Sequence, residues 1–548
     1  MTDTDVLIVG AGPVGLTLAI DLAWRGINVT VVETRAPAAP PDPKCNHVAA
    51  RTMEIFRRLG LAEKVRNAGL PADYPHDVSY RTSFTGQELT RIKIPCRRDR
   101  FTATDGPDCN WPTPEPPHRI NQIFLEPILF EHAASQPRIR IVNRTSVENV
   151  VVEEAAARVD LRDLVTSEIR RANCRYLIGC DGARSVVRKA IGAELSGDAV
   201  IQRVQSTYIR APGLIDLQHS APAWGTGAIN PRRSGMVYAI DGSERWLVHN
   251  YMKPGEDDFD QVDRDAGLRT ILGVDADFKY DIISKEDWHG RRLIASRFRD
   301  RCAFIAGDAA HIWVPYAGYG MNAGIADAMN LSWLLAAHLN GWAPSSILDA
   351  YEAERWPITS QVSRFAMSHA ETEIRRRGSV PADIEDAGAD GERARSEVGR
   401  LTYEINVRQY ACAGLNFGTY YDRSPIIAYD GTEPPTYTMD RYTPSTVPGC
   451  RTPHCFRQDG SSLYDAMGEG FTLLRFDPAT DVAALEAAAR SRGVPLRILD
   501  LESKSAAIFD GSALVLSRPD QHVAWRGQRL PVDPLSLIDR VRGAANSC

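Results

Sequence analysis

The chain has 548 residues, of which 43% are hydrophobic and 24% charged, a composition typical of a globular protein with two or three domains. Its formal net charge is -6, and its lysines and arginines are scattered among acidic residues. Because no basic stripe is available to neutralise phosphates, nucleic acid is not an expected partner.

The ten cysteines include no C-x-x-C pair, so neither a zinc site nor a redox dithiol is predicted, and no metal is expected. Ten cysteines in so long a chain are not a disulfide scaffold, which favours a reducing cytoplasm. The apolar stretch 6–20 follows Asp3 and Asp5 and is rich in glycine. It lacks the basic residues of a signal peptide and the roughly 20 residues of a membrane span, so no membrane contact is expected.

The first predicted elements are a strand, a helix and a second strand. Residues 5–9 form a continuous apolar run, 14–24 form a helical pattern, and 28–33 form a second apolar run that ends at Glu33. Such runs are typical of parallel strands covered on both faces, so an α/β layer opens the chain. The residues up to about 119 are rich in proline and arginine and predict irregular connections.

Further along, strand-like runs precede two long helical patterns. The strands are predicted at 139–152, 175–179 and 236–248, and the helices at 321–339 and 347–373. Asp241 and Gly242 inside the third run are a hairpin signal. A mostly antiparallel sheet inserted into the α/β layer is the simplest arrangement.

The last part of the chain predicts a separate unit. The proline-containing segment 431–449 has little periodicity and is predicted to be a linker. Beyond it, apolar strands at 471–476 and 513–517 flank a helix near 481–492. This pattern predicts a small α/β domain.

The turn between the first strand and the first helix carries Gly10, Gly12 and Gly15 in the G-x-G-x-x-G spacing. Gly10 allows the tight turn, Gly12 lets a pyrophosphate approach the backbone, and Gly15 permits close packing of the helix. The helix N-terminus adds N–H groups. Glu33, at the end of the second strand, can accept from both ribose hydroxyls, so the motif predicts a dinucleotide site and leaves FAD or NAD open.

Two later segments also place an acidic residue after a strand. Asp181 and Gly182 follow one apolar run, and Asp308 follows another, at the carboxyl end where parallel sheets bind their ligands. A glycine-rich loop then leads into a helix whose first N–H groups, at Met321 and Asn322, can bind an electron-rich carbonyl.

These three segments, in this order and spacing, resemble the glycine fingerprint, the Asp-Gly motif and the Gly-Asp motif of the class A flavoprotein monooxygenases, the group of para-hydroxybenzoate hydroxylase and phenol hydroxylase. The resemblance extends from about residue 3 to 360 and includes the run 348–357. The segments 449–454, 470–474 and 518–526 are similar to the thioredoxin-like tail of the longer, phenol-hydroxylase-type members. Because this tail lacks C-x-x-C, a structural or dimer-stabilising role is expected.

The resemblance implies FAD as the bound cofactor, NADPH or NADH as a transient reductant, and O2, which adds at flavin C4a to give the hydroperoxide that hydroxylates a small phenolic substrate. Asp308 would bind the ribityl chain, and the Asp-Gly element would serve both FAD and NAD(P)H. Arg51 matches an arginine near the pyrophosphate, and Gln122 matches a ribityl-side glutamine. The candidate cofactor residues are Gly10, Gly12, Pro13, Gly15, Glu33, Arg35, Arg51, Gln122, Asp181, Gly182, Asp308, Pro315, Gly320, Met321 and Asn322.

The expected fold is α/β, with a Rossmann-like FAD-binding domain, an inserted antiparallel substrate sheet and a C-terminal thioredoxin-like domain, and a homodimer is the expected assembly. The expected parts are the FAD-binding domain at 1–75, 110–190 and 290–375, the substrate sheet at 76–109 and 191–289, a helical region at 376–430, the linker at 431–449 and the thioredoxin-like domain at 450–548.

A base or polarising group near the substrate hydroxyl would favour the phenolate and accelerate hydroxylation by about 10²–10⁴-fold. Asn46 and His47 occupy the neighbourhood in which phenol hydroxylases carry a catalytic Asp, and His47 is either a base or a histidine satisfied within the core. Tyr238 and His249 alternate with apolar residues in the predicted substrate sheet, so they either face a ligand or pack. Tyr316 borders the expected ring site.

Two other functions fit the same motifs. The scaffold could act on a polyketide, or by epoxidation or Baeyer–Villiger insertion, because flavin motifs do not distinguish these reactions. A flavin-binding regulatory protein without catalytic activity is the alternative from another class.

Overall fold

The computed structural model describes residues 3–37, 39–502 and 507–545. Its strands, in chain order, are β1 (Thr4–Val9), β2 (Val29–Val32), β3 (Val78–Arg81), β4 (Glu88–Ile92), β5 (Ile139–Val142), β6 (Thr145–Val152), β7 (Ala157–Asp163), β8 (Ile169–Gly179), β9 (Leu195–Gly197), β10 (Gln202–Arg210), β11 (Gly225–Ala228), β12 (Gly235–Ala239), β13 (Arg245–Tyr251), β14 (Asp281–Gly290), β15 (Leu293–Ala295), β16 (Arg299–Asp300), β17 (Ala303–Ile305), β18 (His311–Ile312), β19 (Phe471–Arg475), β20 (Leu496–Asp500), β21 (Leu514–Ser517) and β22 (Val523–Gly527). Its helices are α1 (Pro13–Trp24), α2 (Ala50–Arg58), α3 (Ala62–Arg66), α4 (Gln122–Ser135), α5 (Val186–Ala190), α6 (Arg264–Leu272), α7 (Tyr319–Leu339), α8 (Ala350–Arg377), α9 (Ala389–Tyr410), α10 (Ala413–Phe417), α11 (Leu463–Ala466), α12 (Ala483–Ser491) and α13 (Pro534–Val541).

The first sheet is the predicted α/β layer. Its strands follow the order β16-β17-β8-β1-β2-β5, and β17, β8, β1, β2 and β5 run parallel. In the register of β1, β8 and β17, Val9, Gly179 and Ile305 lie side by side at the carboxyl ends. The three motifs that are far apart in the sequence therefore follow three neighbouring strands and meet at one edge of the sheet.

The second sheet has the order β14-β10-β13-β12-β11-β3-β4, and only the β11–β3 pair is parallel among these described strands. The predicted hairpin joins β12 and β13: Asp241 Oδ1 accepts from the backbone N–H groups of Ser243 and Glu244 at 2.9 and 3.0 Å, and Gly242 has a φ of +81°. A small antiparallel sheet of β18, β15 and β9 links the two larger sheets in sequence.

The C-terminal unit contains a fourth sheet, which is mixed and has the strand order β20-β19-β21-β22. Buried ion pairs fix this unit to the rest of the chain: Arg451 contacts Glu54, and Arg518 contacts Glu354 with N···O distances of 2.5 and 2.8 Å. These contacts support the structural role expected for the tail. In the described part of the chain, no helix combines the length and apolarity needed to cross a bilayer.

Candidate active site

A cavity of about 540 Å³ lies between the first and second sheets. Gly12, Gly182 and Asp308 line it from the three motif turns, and Trp224 and Tyr238 line it from the opposite side. Its size is in the range of ligand sites, about 300–1,000 Å³. One continuous space therefore joins the predicted dinucleotide site to a wall of aromatic side chains.

The glycine turn has the shape that a bound pyrophosphate requires. A Cβ atom on Gly10 would lie 2.4 Å from the carbonyl oxygen of Cys180, and one on Gly15 would lie 2.1 Å from that of Gly10. A Cβ on Gly12, in contrast, would meet no described heavy atom within 4 Å. Since α1 starts at Pro13, its first N–H groups have no intrahelical acceptors and are available to an anion.

Asp308 lies in the 3₁₀ turn Gly307–Ala309 directly after β17. Its side chain is exposed to the open cavity, and desolvation within the cavity raises its pKa. Beneath it, Asp327 accepts from Gly307 N–H at 3.2 Å, His311 at 2.6 Å and Arg355 at 2.8 Å. His311 therefore supports the turn and does not face the cavity.

The two residues of the Asp-Gly element, Asp181 and Gly182, have different contacts. Asp181 Oδ2 accepts from the backbone N–H of Val186 at 2.7 Å, which fixes the start of α5, while its buried Oδ1 has no partner among the described residues. Gly182 lines the cavity. Arg188 joins α5 to the Asp308 turn through the carbonyl of Ala309 at 3.1 Å.

Glu33 and Arg35 form the far end of the cavity with α4. Glu33 accepts from the backbone N–H groups of Ala11 at 2.8 Å and Arg35 at 2.9 Å, and from Arg35 Nε at 3.2 Å. Burial raises its pKa, but the side-chain hydrogen bond of Arg35, together with the backbone hydrogen bonds and the Arg35 charge, outweighs burial, so the pKa is lowered. Arg35 pairs with Glu126 at 2.5 Å, and Gln122 donates to Glu126 at 3.0 Å. Arg35 and Gln122 line the cavity, whereas Glu33 lies behind them.

Arg51 does not reach this cavity. Its guanidinium donates to Glu54 at 2.7 Å and to the carbonyl of Asp520 at 2.6 Å. These acceptors occupy the donors expected to bind a pyrophosphate, so we assign Arg51 to the contact between α2 and the C-terminal unit.

The start of α7 borders the cavity through Pro315, Gly320 and Met321. The Asn322 side chain is used elsewhere: its Oδ1 accepts from Ala49 N–H at 2.8 Å, and its Nδ2 donates to the carbonyl of His47 at 3.1 Å. The predicted role of Asn322 therefore rests on its backbone N–H alone.

His47 is buried beside Arg119, whose guanidinium donates to His47 Nδ1. Burial and then the charge of Arg119 hold the pKa of His47 well below its usual value. The ring is neutral, and its one ring proton is on Nε2. Of the two expectations for His47, the structure supports a histidine satisfied within the core, because Nδ1 is already occupied and protonation beside Arg119 is unfavourable. Asn46 lines the cavity and accepts from Asn121.

His249 is linked to Trp288 through Ser206. Trp288 Nε1 donates to Ser206 Oγ at 2.8 Å, and Ser206 Oγ lies 2.6 Å from His249 Nδ1. In the tautomer in which the Ser206 hydroxyl donates to Nδ1, the neutral ring carries its proton on Nε2, which has no acceptor among the described residues. Burial lowers the pKa of His249 to about 4. His249 lines the cavity, and this tautomer would present Nε2–H to it as a hydrogen-bond donor.

Tyr238 and Tyr316 line the same cavity. The Tyr238 ring contacts His249 edge-on, with centroids 5.7 Å apart, and burial raises its pKa well above the usual value. The Tyr316 hydroxyl accepts from Arg377 at 3.0 Å and lies 3.3 Å from Gln202 Oε1. Both phenols are neutral near pH 7.

Several cavity residues were not found by sequence reasoning: Tyr80, Arg119, Trp224, Tyr251, Arg377 and Tyr410. Arg377 ends a run of three arginines that is typical of a solvated helix end. The remaining residues lie in segments without a motif, and no signal in a single sequence marks them.

The glycine turn, the inward Asp308 and the adjoining aromatic wall define a flavoprotein with a separate aromatic ligand site. Residues 3–366 match the family model of the FAD binding domain, and residues 445–544 match that of the aromatic-ring hydroxylase C-terminal domain. The chain belongs to the class A FAD-dependent aromatic hydroxylases.

Individual relatives agree with this assignment. The chain is similar to phenol 2-monooxygenase of a Pseudomonas species, with 27% identity covering 99% of this chain and 93% of that protein. Aklavinone 12-hydroxylase RdmE of Streptomyces purpurascens is 29% identical and covers 98% of both chains. The rebeccamycin biosynthetic enzyme RebC with reduced flavin has a TM-score of 0.89 at 33% identity, with 99% of both chains covered. An aklavinone-11 hydroxylase with FAD and aklavinone has a TM-score of 0.80 at 26% identity, with 99% of both chains covered.

Proposed function

We propose that this protein consumes NADPH or NADH and O2 to hydroxylate a phenolic or fused-ring aromatic substrate. The proposal rests on one observation: a continuous cavity joins the three motif turns to a wall of aromatic side chains. FAD bound in the motif turns would supply the oxygen chemistry. The chain's own residues then have to bind the ring, orient it and exclude water.

The cofactor residues have separate proposed tasks. Gly12 and the N-terminus of α1 would hold the pyrophosphate, and Asp308 would accept from ribityl hydroxyls. The start of α7, at Gly320 and Met321, would lie against the flavin ring. On the substrate side, His249 would donate from Nε2 to the oxygen of the aromatic substrate, which stabilises negative charge on that oxygen.

The test uses the purified yellow protein. Oxidation of NADH and of NADPH is followed with and without phenols, hydroxybenzoates and fused-ring phenols, and ¹⁸O from O2 is traced into the product. Stimulated oxidation with ¹⁸O in an aromatic hydroxyl supports the proposal. Oxygen found only in an epoxide or lactone supports the alternative reactions, and no flavin reduction with any ligand supports a regulatory protein.

We also propose a cytoplasmic location, because ten cysteines without a C-x-x-C pair in a chain of 548 residues are not the density of a disulfide scaffold. The homodimer stays a prediction. Its measurement is the mass of the holoprotein in solution.

Replacing Asp308 by alanine is expected to weaken FAD binding by about 10–100-fold, because a hydrogen bond to a charged group contributes about 1.5–3 kcal/mol. The fold should persist, since the Asp308 side chain makes no hydrogen bond within the described chain. FAD retained after gel filtration and its dissociation constant are the measurements. Asp277→Ala, in an exposed turn, is the control. Unchanged FAD affinity in Asp308→Ala would contradict this role.

The glycine turn predicts opposite outcomes for two small substitutions. Gly12→Ala is expected to leave the fold intact but to weaken FAD binding, because its methyl group would point into open cavity space. Gly15→Ala is expected to destabilise the apoprotein itself, because its methyl group would lie 2.1 Å from a carbonyl oxygen. Apoprotein melting temperature and FAD affinity, measured for both variants, separate these effects. Equal melting temperatures would be the result against this assignment.

A further inference from the structure

Arg377 is a half-buried cation that the proposed hydroxylation does not use. It is the last residue of α8 and lines the cavity. Its guanidinium stacks 4.1 Å from the centre of the Tyr251 ring and donates through Nη1 to the Tyr316 hydroxyl at 3.0 Å. Both partner side chains are uncharged, and no carboxylate in the described residues is within ion-pairing distance of Arg377.

The nearest carboxylate is already occupied. Glu373 accepts from Arg376 at 3.0 and 2.6 Å and from Asn406 at 2.8 Å. These bonds satisfy both oxygens of Glu373 and balance the charge of Arg376. Glu373 attracts Arg377 through its charge but makes no direct bond to it, so Arg377 has no bonded carboxylate partner among the described residues, and a cation withdrawn from water is costly unless it is paired.

A second arginine makes the same part of the cavity more positive. Arg119 also lines it, and its Nη2 is buried without a hydrogen-bond partner among the described residues. Among the described residues, the carboxylate that pairs with Arg119 is Asp108, which lies 3.9 Å away and is bound more tightly by Arg100 at 2.8 Å. The substrate side of the cavity thus has more cations than anions.

We propose that Arg377 binds a carboxylate of the substrate, so that the natural substrate is an aromatic carboxylic acid. This inference rests on the proposed hydroxylase function and specifies its substrate class. The free Nε and Nη2 of the planar guanidinium form the edge that bonds a carboxylate with two parallel hydrogen bonds. The Tyr251 ring and the Tyr316 hydroxyl hold this edge in place.

The test measures binding to the oxidised holoenzyme, so that neither reduction nor oxygen transfer is required. Changes in the flavin absorbance spectrum give the affinities of two acids, 3-hydroxy-2-naphthoate and salicylate, and of their primary amides. The wild-type protein is expected to bind at least one acid about 10–100-fold more tightly than its amide. Equal affinities, or no binding of either acid, would overturn the proposal.

Variants then assign the preference to Arg377. Arg377→Met is expected to remove the acid-over-amide preference and leave the amide affinity within about threefold, and Arg377→Lys is expected to retain part of the preference because it keeps the charge. Arg375→Met, at the exposed neighbouring position, is the matched control and should behave like wild type. A preference that persists in Arg377→Met would overturn the assignment. Hydroxylation of neutral phenols without any acid preference would leave the proposed function standing while this inference fails.

Discussion

Replacing Arg518 by methionine is expected to lower the free energy of unfolding by about 3–5 kcal/mol, the cost of removing one partner from a buried ion pair. Arg518 is fully buried, and its guanidinium bonds Glu354 at 2.5 and 2.8 Å and Asp520 at 2.7 Å. Without it, two buried carboxylates lose their cation. Urea unfolding, followed by tryptophan fluorescence, measures the difference.

A matched control separates this effect from the loss of any arginine in the C-terminal unit. Arg492 pairs with Asp539 at 2.9 Å on the surface, where an ion pair contributes about 0–1 kcal/mol. Arg492→Met should therefore unfold close to wild type. If Arg518→Met lost less than about 1 kcal/mol, the junction would be held by its apolar contacts and not by this pair.

Acid should weaken the same junction. Burial raises the pKa of Asp520, but Arg518 and His522 outweigh burial, so its folded pKa lies below its unfolded value. A carboxyl with a depressed folded pKa contributes stability above its unfolded pKa, near 3.9, and that contribution is lost as pH falls further. The junction should be more stable at pH 7 than at pH 3.

The motif half of the site could be predicted because its geometry is dictated by the backbone. Gly10 and Gly15 have no space for a side chain, and Asp308 follows a strand end, so residue type and spacing report their positions directly. The sequence did not show that these turns follow neighbouring strands. The register that aligns Val9 with Gly179 depends on how the strands pair in the folded chain.

The substrate half could not be predicted, because its chemistry depends on partners that are distant in sequence. His47 has the residue type of a base, but Arg119, 72 residues away, occupies its Nδ1. Arg51 lies in a recognisable motif, yet its guanidinium donates to the backbone carbonyl of Asp520, 469 residues away. Side-chain roles of this kind follow from packing, which a single sequence does not reveal.

Replacing His249 by phenylalanine is expected to lower kcat about 10²–10³-fold, the usual cost of losing one donor to a developing negative charge. FAD binding should be unchanged, because His249 lies on the sheet opposite the motif turns. Rates are measured with the aromatic substrate that wild type turns over fastest. A smaller loss in His249→Gln, whose amide N–H reaches the position of Nε2, would support the donor role. Equal and full activity in both variants would exclude it.

The pH dependence distinguishes this donor from a general base. Because the pKa of His249 is lowered to about 4, the ring is neutral from pH 5 to 8 and its Nε2–H is present throughout that range. The wild-type rate should show no ionisation of His249 there, whereas a base with an ordinary pKa near 6.5 would lose activity as pH falls through that value.

Ser206→Ala removes the hydroxyl that holds Nδ1 as the acceptor. The proton is then shared between both ring nitrogens, so kcat should fall by less than in His249→Phe. An acid limb near pH 6.5 that disappears in His249→Phe would show that the histidine takes a proton, and its Nδ1–H would then donate to Ser206 Oγ.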